Sequence, residues 1–160
     1  MINVTLQKQE ENHVKEFYKY KDHERVMRYM YRNPKSLEEE LGAFHQQDEK
    51  HIIRKAIYVD DHYVGDIWCH SIHEVPFTDA LLSCCIFEER VWNKGVASSA
   101  LRLFLQELQT TDLHHVGAFL YAENKGSQHV LEKLKFTKEK TFEEDGKEAY
   151  FYGKTLQKDA

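Results

Sequence analysis

Polar and apolar positions along the chain change period several times, and each change marks an element. Residues 2–6 alternate, which predicts a first strand. Residues 9–20 read at helical spacing. Residues 22–31 carry Val26, Met27 and Met30 among Tyr29 and Tyr31 and predict a second short helix. It should stop before Pro34, because the residue preceding a proline is pushed out of helical geometry. Ser36 with Glu39 three residues on is a capping-box pattern, and Leu37, Leu41 and Phe44 then supply a helical stripe. The run Glu38, Glu39 and Glu40 sits where a helix N-terminus welcomes negative charge.

From Ile52 the period shortens. Residues 52–59, a polar turn at Asp60, Asp61 and His62, and residues 63–72 predict a hairpin of β-branched and aromatic runs. A strand at 79–87 follows Pro76, and a helix at 96–108 is marked by Val96, Ala100, Leu101, Phe104, Leu105 and Leu108. The apolar run 115–121 fits a strand covered on both faces. Residues 124–134 are again helical, and 135–142 with 147–156 form a closing hairpin around Glu144, Asp145 and Gly146. The order predicts an α/β (α+β) fold: a mixed, centrally parallel, twisted sheet of about seven strands with helices on both faces. Its strand–helix–strand unit should be parallel and right-handed. Ligands in such sheets bind beyond the carboxyl ends of neighbouring strands, here near Phe87 and Tyr121.

Composition narrows the class. A chain of 160 residues, 41% hydrophobic and 31% charged, suits one domain spanning 1–160 with a core of its own. No internal repeat, linker or low-complexity tract interrupts it. The net charge of −5 argues against a nucleic-acid partner, which would draw a basic stripe. No apolar run reaches the roughly 18 residues a membrane helix requires, and no basic-then-apolar leader opens the chain, so a cytoplasmic protein without a membrane partner is expected. Cys69, Cys84 and Cys85 fall inside predicted strands, Cys84 and Cys85 on opposite faces, and read as buried free thiols of a reducing compartment.

Chemistry concentrates in residues 81–109, where a strand, a polar turn and an amphipathic helix follow one another. The helix start, Asn93, Lys94, Gly95, Val96, Ala97 and Ser98, leaves several backbone N–H groups without intrahelical partners at the positive end of the dipole. Such an end is an anion site suited to phosphate. Gly95 lets the backbone approach a phosphate closely, and Lys94 adds positive charge, although a lysine at a helix start is more often simply solvated. Neither a P-loop nor a dinucleotide fingerprint is present.

The segments VWNKGVASSAL (91–101) and ENKGSQHVLEKLKF (123–136) resemble the two signature motifs of the GNAT superfamily of acyl-CoA-dependent N-acyltransferases, closest in flavour to the ribosomal-protein N-terminal acetyltransferases. The element order is similar over nearly the whole chain. The resemblance implies acetyl-CoA as co-substrate, no metal, and an amine acceptor, either a small molecule or a protein N-terminus. Homodimers are common in the family. It further implies pantetheine contacts from the backbone at Cys85 and Phe87, a pyrophosphate seat at 93–98, a cofactor contact from Asn124, and protonation of the leaving thiolate by Ser127. The chain departs from the family pattern at Trp92, Asn93 and Ala97. It also has Leu131 where many members place an acid tyrosine, and Lys135 where the motif ends in glycine.

Acyl transfer to an amine requires loss of the amine's proton and a donor for the developing oxyanion. Glu88 and Glu89, just past the strand end, are the nearest carboxylates in sequence, and Glu88 is the candidate base. For either glutamate alone, a solvated loop charge is the commoner reading. A backbone amide released by a β-bulge around Ile86 would serve the oxyanion. Of the 10 histidines, the close pairs His70 with His73 and His114 with His115 lack ligands at a recognised metal spacing. His70 and His73 keep a minor candidacy as base or acceptor contact. Cys84 and Cys85 show no activating neighbour. The aromatic set Phe17, Tyr18, Tyr20, Tyr29 and Tyr31 reads as packing on the helices that form the family's acceptor wall. The alternative to an enzyme is a catalytically degenerate CoA-binding sensor or interaction module, and blander still is an α/β domain with no cofactor.

Overall fold

The computed structural model describes residues 2–30 and 35–158. Seven strands and four α-helices follow in the order β1 (Val4–Lys8), α1 (Glu11–Tyr18), α2 (Leu37–Gln46), β2 (Ile52–Val59), β3 (His62–His70), β4 (Ala80–Ile86), α3 (Val96–Leu108), β5 (His115–Tyr121), α4 (Lys125–Lys133), β6 (Thr137–Glu144) and β7 (Lys147–Thr155). They form one mixed sheet of order β1-β2-β3-β4-β5-β7-β6. No helix of the described residues is long and apolar enough to cross a membrane.

The two faces of β4 show how the strand pattern builds the layers. Leu82, Cys84 and Ile86 join the larger core, where α3 buries Val96, Ala100, Leu101, Phe104, Leu105 and Leu108. Cys85 and Phe87 point the other way, into a smaller cluster with Val26, Met27, Phe17 and Trp68. Alternate residues of a strand must face opposite sides, so adjacent cysteines serve different cores. All three cysteines are free thiols, and burial raises each of them, Cys69 to about 11 and Cys85 to about 12.

The expected second helix at 22–31 does not form over the residues described. Residues 21–30 run as turns, and Tyr31 and Pro34 lie outside the described residues. His23 gives a physical reason: its Nδ1 accepts the Val26 N–H at 3.3 Å, a local bond that competes with the helical ladder. Burial of Val26 and Met27 against Cys85 and Phe87 then holds the segment as a strap across the sheet. The helix read at 9–20 is shorter, Glu11–Tyr18, opened by a capping box between Glu10 and His13. The Ser36 and Glu39 capping box forms as the spacing predicts.

One joint in the sheet differs from all others. β3 and β4 pair over six residues, Gly65 with Ile86 through His70 with Leu81, without a register shift. β4 and β5 pair in parallel at only two positions, Ala80 with Val116 and Leu81 with Gly117, and then diverge. The closed end is clamped by Asp79, whose Oδ2 accepts the N–H groups of His114 (2.8 Å) and His115 (3.0 Å). Beyond it the sheet splits into a wedge.

Candidate functional site

The wedge opens into a cleft of about 1910 Å³ bounded by β4, β5, the N-terminal turns of α3 and α4, and the wall formed by α1, the strap and α2. That is larger than a site for one drug-sized molecule and has room for an extended cofactor together with an acceptor.

Alternation on β4 decides which backbone groups face the opening. The Phe87 N–H donates to Val64 O at 2.9 Å. In an antiparallel ladder the groups alternate, so Cys85 and Ser83 likewise turn their backbone toward β3. The N–H groups of Cys84 and Ile86 therefore point across the splay, where β5 has already moved away. Cys85 and Phe87, where a backbone contact is expected, turn their own N–H groups to β3. No bulge is needed at Ile86, because divergence of β5 frees its amide.

At the start of α3, Gly95 is the N-cap with φ +80°, and Asn93 before it also takes a left-handed φ of +62°. Ser99 is the first residue whose N–H is captured, by Gly95 O at 3.0 Å, leaving those of Val96, Ala97 and Ser98 at the helix end. The first turn carries no acidic side chain. Apart from Gly95 and its two chain neighbours, no atom of the described residues lies within 4 Å of where a Cβ on Gly95 would stand. This open cradle of donors at a positive helix end fits a phosphate. Trp92 anchors the loop, its indole N–H donating to Ile86 O at 2.9 Å.

A family model for the GNAT acetyltransferase domain matches residues 3–137. The chain belongs to the GNAT acetyltransferase family. No curated protein matches the sequence. Solved GNAT structures share its fold at low identity. A spermidine N-acetyltransferase from Vibrio cholerae in complex with CoA and spermine superposes with TM-score 0.79 at 20% identity, covering 96% of this chain and 95% of that one. RimJ from Mycobacterium smegmatis, with CoA-disulfide, gives 0.78 at 18%, covering 95% and 81%. RimL, a ribosomal L7/L12 α-N-protein acetyltransferase in complex with CoA, gives 0.80 at 16%, covering 98% and 96%.

Within this GNAT cleft the structure gathers most of the residues singled out in the sequence. Asn93, Gly95, Val96, Ala97, Ser98, Asn124 and Ser127 line it, as does Cys85. Asn124 caps α4, its Oδ1 accepting the Ser127 N–H at 3.2 Å. Leu131 is buried in the core, so packing occupies that position. Phe87, Lys94 and Glu88 do not line the cleft. Glu88 instead caps the 3-10 turn at Glu89–Val91 and pairs with Arg90 Nε at 3.1 Å. Its bond to Arg90 holds the carboxyl below its ordinary value, which makes it a poorer base. Glu89 pairs with Arg25 at 2.6 Å. His70 does line the cleft, and burial lowers its pKa, so the imidazole is neutral at neutral pH. Among the described residues no three His, Cys, Asp or Glu side chains gather as a metal site.

Sequence reasoning missed Arg54. It sits on β2 opposite Trp68, which is opposite Ser83, so one row crosses three strands on one face of the sheet. Its guanidinium lies 4.1 Å from the Trp68 ring centroid and 5.1 Å from that of Phe17. Nε and Nη2 both donate at 2.8 Å to Oδ2 of Asp66, which is fully buried. Gln9 also donates to Oδ2 of that carboxylate and the Tyr63 hydroxyl donates to Oδ1. The available signal was a pair of opposite charges, Arg54 and Asp66, placed mid-strand in mostly apolar runs.

Proposed function

We propose that the protein is an acetyl-CoA-dependent N-acetyltransferase acting on a primary amine by direct attack in a ternary complex. The observation that carries this reading is the convergence of an open helix-end cradle at Gly95 and unpaired β4 amides on one cleft. The 93–98 turn and the α3 N-terminus would hold the pyrophosphate, and the Cys84 and Ile86 amides would meet the pantetheine arm and thioester.

Acetyl-CoA supplies a thioester-activated acetyl group. The acceptor arrives as an ammonium ion and releases one proton to solvent or to a neutral base lining the cleft, such as His70. The amine lone pair then forms the N–C bond, and the Ile86 N–H faces the carbonyl oxygen as it gains charge. As the C–S bond breaks, the thiolate takes up a proton, for which the Ser127 hydroxyl at the α4 N-terminus is the candidate donor, and the serine regains it, through water, from the nitrogen that becomes the amide. The balance is one ammonium and one thioester to one amide, one thiol and one proton.

Calorimetric titration with acetyl-CoA, with dephospho-CoA and pantetheine as controls, tests the site. Micromolar binding that depends on the diphosphate is expected, and no binding overturns the assignment. Release of free thiol with an amine panel then separates an enzyme from a degenerate binding module, the reading that buried Leu131 would favour if no thiol appeared. Ser127→Ala should lower kcat several-fold with acetyl-CoA affinity unchanged; equal kcat removes the serine from the reaction.

A further inference from the structure

We infer that the acceptor is an amine that also carries a carboxylate, and that Arg54 is the residue that selects it. This deepens the acetyltransferase reading and rests on it.

The wall of the cleft opposite the cofactor cradle is basic, in a protein of net charge −5. Lys21, Arg28, Lys35 and Arg54 line it with Glu40, Arg25 sits over Trp92 in the loop that leads into the cradle, and Glu144 and Asp145 line the cleft elsewhere. Lys21 is answered by Asp22 at 2.8 Å and Arg25 by Glu89 at 2.6 Å. Arg28 stacks on Tyr29 and stands exposed at the rim. Arg28 at that rim would repel the positive charges of a polyamine and attract an acid group.

Arg54 differs from the rim residues because it is fixed. Aromatic rings of Trp68 and Phe17 flank the guanidinium, and Asp66 holds one edge from behind through Nε and Nη2. A guanidinium has five donors, so with two engaged the Nη1 end is left to meet a ligand in plane. Asp66 offers nothing to an ammonium ion: it is fully buried, and its two oxygens already serve Arg54, Gln9 and Tyr63. The guanidinium lies over Trp68 on β3, the strand beside β4. Trp68 pairs with Ser83, so the guanidinium stands on the cleft face of the sheet in the row that reaches β4 just before Cys84. An amino acid, or a peptide N-terminus with an acidic side chain close behind, carries an amine and a carboxylate that can face the edge of β4 and Arg54 together. The site therefore offers a fixed cation for the acid end and an open edge for the amine end.

The test is calorimetric titration of the CoA-saturated protein with matched acceptors. The pair L-phenylalanine and phenethylamine probes a free amino acid. The peptides Ser-Glu-Ala-amide and Ser-Lys-Ala-amide probe a protein N-terminus, and spermidine probes a polyamine. The carboxylate-bearing member of at least one pair should bind roughly tenfold or more tighter than its partner. That advantage should shrink in Arg54→Met/Asp66→Asn, which removes both charges of the buried pair together. Because the double variant can fail to fold, the rim variant Arg28→Glu provides a second reading and should weaken the same acceptor several-fold. Preference for spermidine or for both partners that lack the carboxylate, or no carboxylate-bearing acceptor binding, overturns the inference while CoA saturation leaves the acetyltransferase reading standing. Failure of the protein to take up CoA overturns both.

Discussion

Gly95 and Arg54 work by opposite means at the scale of single residues. Gly95 contributes what it lacks, since a side chain there would stand in the space offered to phosphate and would also have to accept φ +80°. Two substitutions separate those effects. Asparagine tolerates the left-handed region, so Gly95→Asn should fold normally and weaken acetyl-CoA several-fold, whereas Gly95→Asp adds a negative charge and should abolish detectable binding. Equal affinities in the two variants would show that charge at the cradle does not matter. Arg54 acts through a buried partner, and removing only that partner is costly. Asp66→Ala strands the guanidinium and should lower unfolding stability by about 3 kcal/mol, read from the urea midpoint. Gly95 stood out in the sequence because the segment around it is joined by a second motif-like segment at 123–136, whereas a lone glycine between a strand and a helix says little. Arg54 did not stand out, because its meaning depends on Asp66, twelve residues away and on another strand.

At the scale of elements, the strands and α3 follow directly from their periodicity, and the helix ends carry the informative departures. Lys135 occupies the position where the family motif ends in glycine, and it adopts φ +72° to do so. The Phe136 N–H reaches Leu131 O and the Lys135 N–H reaches Glu132 O, both at 3.0 Å, which is a Schellman closure built on a lysine. Lys135→Gly should therefore raise stability by about 1 kcal/mol in urea, the strain of a left-handed L-residue partly offset by the entropy of glycine. At the other end of α4, Asn124→Ala should cost about 1 kcal/mol as a lost cap. If acetyl-CoA affinity also falls beyond what Asn124→Ser shows, the side-chain amide touches the cofactor as well. The missing helix at 22–31 was not legible because an apolar stripe in a ten-residue segment fits a buried strap equally well. Tertiary burial of Val26 and Met27 decides between them.

For the whole molecule, the seven-strand count and the parallel central joint were readable from element order. How little of that joint is hydrogen-bonded was not, since pairing length depends on twist and on what fills the gap. Asp79 clamps the closed end. Burial alone would raise its pKa, but the N–H groups of His114 and His115 outweigh that and hold the carboxyl below its ordinary value. A carboxyl depressed in the folded state stabilises the fold fully above its unfolded pKa of about 4, and that contribution is lost as pH falls through the lower folded value. Asp79→Asn should remove this part of the acid dependence, and identical acid-unfolding profiles would show that the clamp does not titrate.

With two residue pairs joining β4 to β5, the backbone consists of a four-strand meander and a three-strand unit that share α3 rather than a continuous ladder. Such a chain need not open as one cooperative body. Without ligand, native-state hydrogen exchange should resolve β2 and β3 from β5 and β7 as separate opening groups. A pantetheine arm lying along β4 would act as the absent strand, and saturation with acetyl-CoA should merge the two groups into one. Unchanged exchange at Cys84 and Ile86 would show that the arm runs elsewhere. The cofactor would then be a structural member of the folded state as much as a reactant, leaving and returning with every turnover.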